Sequence, residues 1–137
     1  MNFPVTREYL RTCVREEIIA EKEKRQRYEF YEVLVKRICS DVENMILKSP
    51  TRETQFVWKD IEIIGRWQQC LREMDSRYSA DPISYYNAWI SHHYSRSRND
   101  APIQPWLPEF LEVLKTKFIG CDVIVDPLQT YIMIVWA

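Results

Sequence analysis

The sequence predicts an α+β fold, mostly helical, in which a small antiparallel sheet is covered by helices. Three observations predict it. The chain closes on an alternating stretch, a proline turn and an uncharged β-branched run, which together make a hairpin over 121–136. A second β-rich stretch near 54–58, TQFVW, offers that hairpin a third strand, without which two strands are marginal. Most of the remaining chain repeats apolar residues at helical spacing. Its 137 residues suit one domain with a core of its own, 1–50 forming a helical arm and 51–137 a compact α+β core.

Thr6 is placed to cap a first helix, on which Leu10, Val14 and Ile18 form a stripe. The run Glu21 to Arg27 is entirely polar and reads as a solvated helix face, with Glu21–Arg25 and Glu23–Arg27 as i,i+4 pairs. Tyr31, Val35, Ile38, Val42 and Ile46 then resume the stripe. Either one helix runs from about Thr6 to Lys48 or two hinge near Glu23, and Ser49-Pro50-Thr51 ends the segment. After the strand near 54–58, Ile61, Ile64, Gln68 and Leu71 predict a helix to about Tyr78. Asp81 and Pro82 open the next helix as cap and first residue, with Ile83, Tyr86, Ile90 and His93 on one side. Ser95 to Pro108 is loop-like. A last helix carries Leu107, Phe110, Leu111, Leu114 and Phe118, with Gly120 as its left-handed terminator.

In the hairpin, Cys121, Val123 and Val125 alternate with Asp122, Ile124 and Asp126. Proline in Asp126-Pro127-Leu128-Gln129 presets a turn and removes a ladder donor. Thr130 to Trp136 is apolar on both faces, so cover on both sides is expected, from helices or from another chain.

Composition removes several function classes. A formal net charge of −1 gives no global field for nucleic acid or membrane surfaces, and two glycines leave little for phosphate-cradling loops. Cys13, Cys39, Cys70 and Cys121 lack a C-x-x-C pair and read as buried free thiols of a reducing compartment. With no apolar run of membrane-spanning length, the expectation is a soluble intracellular protein. His92 and His93, the only histidines, point about 100° apart on a helix and cannot chelate together. No catalytic residue, metal site, cofactor or small-molecule substrate is expected.

Two groups are candidates for contact. Tyr85, Tyr86, Trp89 and Tyr94 crowd one helix, and an aromatic surplus on a near-neutral chain points to a protein-contact surface. Arg96 and Arg98 beside Tyr94 are the best-placed residues for a phosphate or nucleic acid. Helices followed by a hairpin, with a strand upstream, also match a winged-helix order. The helix before the hairpin, however, offers only Lys115 and Lys117 against Glu109 and Glu112.

The ending Asp126-Pro127-Leu128, Thr130-Tyr131-Ile132 and Trp136 resembles the C-terminal hairpin of small uncharacterised α+β proteins of large double-stranded DNA viruses. The likeness covers about an eighth of the chain. It implies a virion or accessory protein and nothing about activity. The functional expectation is therefore non-enzymatic protein–protein interaction or assembly, through a protein partner or self-association, with nucleic-acid binding as the alternative.

Overall fold

A computed structural model describes residues 3–74, 81–93 and 106–137. Along the chain these form α1 (Arg7–Thr12), α2 (Arg15–Lys48), β1 (Gln55–Trp58), a 3-10 helix (Ile61–Arg66), α3 (Trp67–Arg72), α4 (Pro82–His93), α5 (Leu107–Lys115), β2 (Asp122–Val125) and β3 (Ile132–Val135). The fold is α+β with a small three-stranded antiparallel sheet, as the sequence predicts.

Thr6 caps α1, its hydroxyl accepting the Tyr9 N–H at 3.1 Å. The helix then breaks at Cys13 and Val14, both extended, rather than near Glu23. Thr12 explains the position: its hydroxyl donates to the carbonyls of Glu8 and Tyr9 just before the break, and β-branched Val14 lies within it. From Arg15 the helix runs unbroken for 34 residues, through the polar run and into the core. The arm is thus shorter than 1–50, because Phe30, Tyr31, Leu34, Val35 and Ile38 of α2 are central to the core.

β3 is the middle strand, in the order β1-β3-β2. Trp58 pairs with Ile132 and Phe56 with Ile134 on one side, and Val125 and Val123 complete those rows on the other. Residues directly opposite share a face, so these six line one face of the sheet. That face meets the helices: Trp58 stacks on Phe110 of α5 at 5.5 Å, and Phe110 meets Tyr31 of α2 edge-on at 5.8 Å. Trp136 locks the end of β3 to the start of β1, its backbone and indole N–H groups donating to Thr54 and Glu53 carbonyls.

Three expectations need correction here. The segment after β1 is a 3-10 helix followed by an α-helix ending at Arg72, not one helix; residues 75–80 lie outside the described ones. α5 ends at Lys115, and Gly120 (φ +79°) serves the later turn closed by the Cys121 N–H on the Phe118 carbonyl. Of the four thiols only Cys70 is buried; Cys13, Cys39 and Cys121 are half-buried. Burial pushes the Cys70 thiol up to about 12, leaving it a small apolar side chain at neutral pH.

Candidate functional site

Two apolar surfaces have no cover among the described residues. The first is the arm. Between residues 3 and 25 no side chain is buried, although the stretch carries Phe3, Tyr9, Leu10, Val14 and Ile19, all exposed. α1 doubles back beside the start of α2: Pro4, Val5, Thr6 and Tyr9 line a shallow groove with Glu21. The Tyr9 phenol is accordingly raised above its ordinary pKa, first by Cys13, then by slight burial and by Glu21 and Glu17 of α2. The seam between the helices is shallow, and Leu10 remains 52 % exposed.

The second surface is the outer face of the sheet. Register places Val57, Met133 and Ile124 in one row and Gln55, Val135 and Asp122 in the next. Val57, Met133 and Val135 are half-buried and Ile124 is 44 % exposed, and none of the four packs against the core. Of the cover expected on both faces of Thr130 to Trp136, from helices or another chain, helices supply one face, and no described residue of this chain packs on the other. The other lacks charge along β3 itself and is fringed by acid at Asp122 and Asp126.

Tyr85, Tyr86 and Trp89 do not form a contact surface. All three are buried, with Ile90, where α4 packs on α2; Phe30 meets Tyr86 and Trp89 edge-on at 6.3 and 6.2 Å. At 100° per residue, positions 85, 89, 86 and 90 fall within an arc of about 140°, wide enough for one core-facing side. Arg37 of α2 fastens the same interface by donating to the Asn87 carbonyl at 2.8 Å and to the Ser91 hydroxyl. Tyr94, Arg96 and Arg98 lie outside the described residues. His93 stacks on Trp89 at 4.1 Å, while His92 is exposed.

The polar run also hides a structural residue. Arg27 is not solvated: its guanidinium makes two 2.8 Å hydrogen bonds to Glu109 in the first turn of α5, and Tyr31 donates to the same carboxylate at 3.1 Å. Trp106 and Trp67 flank the cation at 4.9 and 5.2 Å. A bidentate pair between aromatic rings is a strong geometry for an arginine. Beside it, burial and then the Glu109 charge hold the Tyr31 phenol well above its ordinary range. The cluster ties α2 to α5 and marks where the free part of the arm begins.

Among the described residues no three His, Cys, Asp or Glu side chains are grouped to hold a metal ion, and no helix is long and apolar enough to cross a membrane. No protein-family model, curated protein or solved structure matches this chain.

Proposed function

We propose that this chain is a protein-association module that assembles through its N-terminal arm. The carrying observation is that arm: a helix and a half with an exposed apolar stripe and not one buried residue between 3 and 25. Isolated short helices are marginal in water and derive stability from packing an apolar face. A six-residue α1 with no buried side chain gains little of that from its own chain. An assembly role also suits the virion or accessory character implied by the C-terminal hairpin.

Light scattering on the eluting full chain, across a hundredfold range of loading concentration, tests this. Association predicts a molar mass above 16.6 kDa that rises with concentration; a constant monomer mass contradicts self-association.

Nucleic-acid binding is the second reading, favoured by the order strand, helices, hairpin. Electrostatics weigh against it. The exposed residues of α5 include Glu112 as well as Lys115, Glu109 is engaged by Arg27, and the hairpin carries only acidic charge. Salt-sensitive binding to short DNA or RNA at low ionic strength would revive it.

A further inference from the structure

The two surfaces that the described residues leave uncovered differ in kind, and they are complementary. One is an apolar helical stripe without a sheet; the other is an apolar sheet face without a helix. A helix laid on a sheet is the ordinary way to bury both. We infer that the arm of one copy docks on the outer sheet face of a second copy, and reciprocally, closing a two-fold dimer. This rests on the association reading above and specifies its surfaces.

The arm cannot make this contact within its own chain. α2 lies on the covered side of the sheet with α5, and its first buried residue is Phe30. The fifteen residues Arg15 to Glu29 therefore carry the start of α2 some 22 Å, at 1.5 Å per residue, beyond the core, and α1 folds back only to the level of Glu21. Only Cys13 and Val14 join α1 to α2, too short a link for α1 to pass round the sheet edge. Charge favours the same pairing. The arm, 3–25, holds six basic residues against five acidic ones, its basic excess lying at the α1 end in Arg7, Arg11 and Arg15 against Glu8, whereas 119–137 holds Asp122 and Asp126 and no basic residue. Reciprocal exchange uses one arm and one face from each copy, so the assembly closes at two and no second arm or face remains free.

Full-length variants separate this from its rivals. Leu10→Glu places an acid on the arm stripe, and Ile124→Lys places a base on the sheet face, opposite the basic end of the arm. Each variant alone is expected to weaken dimerisation on the order of 100-fold or more, as loss of a central apolar anchor does. An equimolar mixture should regain a dimer of one copy of each, since the Ile124→Lys arm still fits the Leu10→Glu face. Retention of the dimer by Ile124→Lys would mean arms pairing with arms. Retention by Leu10→Glu would mean faces pairing with faces. Either result overturns the proposal while leaving association intact, whereas a monomeric wild-type chain removes both. Should Ile124→Lys fail to fold, Ile124→Cys in the full chain gives a second measure. Mild oxidation should then link Cys13 of one copy to position 124 of the other, and absence of that inter-copy disulfide overturns the arrangement.

Discussion

Arg27 shows at the scale of one residue how an interaction distant in sequence overrides a local pattern. In the run Glu21 to Arg27 it reads as one more solvated charge, with Glu23 as its neighbour. Its partner Glu109 is 82 positions away, and the rings that surround it come from three separate segments, so nothing in the run marks it. Both ends of the pair are only 12 % and 25 % exposed. Replacing Arg27 by Leu leaves a half-buried carboxylate facing the Tyr31 hydroxyl. We expect a loss of about 2 kcal/mol in urea unfolding, below the roughly 3–5 kcal/mol of a fully buried broken pair because water still reaches this one. Arg27→Lys should recover little, since an ammonium cannot reproduce the two parallel bonds. Glu73 makes the comparable bond to Trp89. Its carboxyl is held below the usual carboxylate range, first by the Trp89 indole N–H and then by Gln69. A lowered folded-state pKa contributes stability above the unfolded value, near 4.3, that is lost as pH falls through the folded value. Glu73→Gln should therefore flatten the acid limb of the stability profile. The expected change is below about 1 kcal/mol, because the group is largely exposed.

At the scale of elements, the alternating strand, the proline turn, the third strand and the α4 cap were all legible, because each depends on residues within a few positions. Asp81 accepts the Ser84 N–H at 3.2 Å, and the turn closes with the Gln129 N–H on the Asp126 carbonyl at 2.8 Å. Gln129 sits at φ +56°, a left-handed conformation that costs a non-glycine residue roughly 1 kcal/mol or more. Gln129→Gly should accordingly raise the urea midpoint by the equivalent of about 0.5–1 kcal/mol. What the sequence could not show was which face of β3 the helices cover, since TYIMIVW is apolar on both. The structure's answer has a direct test in paired truncations. Ile134→Ala, on the covered face, should cost about 2–5 kcal/mol. Met133→Ala, one residue along on the open face, should cost less than about 1 kcal/mol in a dilute chain. Equal costs would mean that both faces are buried within a single copy. The aromatic crowd on α4 was legible in composition but not in direction: three of its four rings fit one wide helix face, and they became core.

For the whole molecule, α2 divides into a packed half and a projecting half. From Phe30 to Val42 its apolar side chains join the core; from Arg15 to Arg25 every side chain but Ile18 is exposed. The helical spacing of Leu10, Val14 and Ile18 was visible from the start. That no described residue covers it was not, because cover depends on the path of segments far away in sequence. If association through the arm is correct, the surfaces that it buries should change with concentration and nothing else should. The most direct measurement is amide deuterium uptake of the full-length chain at two concentrations spanning its association. The account predicts slower exchange with rising concentration in two places: residues 3–25, and the strands at 122–125 and 132–135. The packed half of α2 should stay unchanged. Uptake along residues 3–25 that is the same at both concentrations would contradict it.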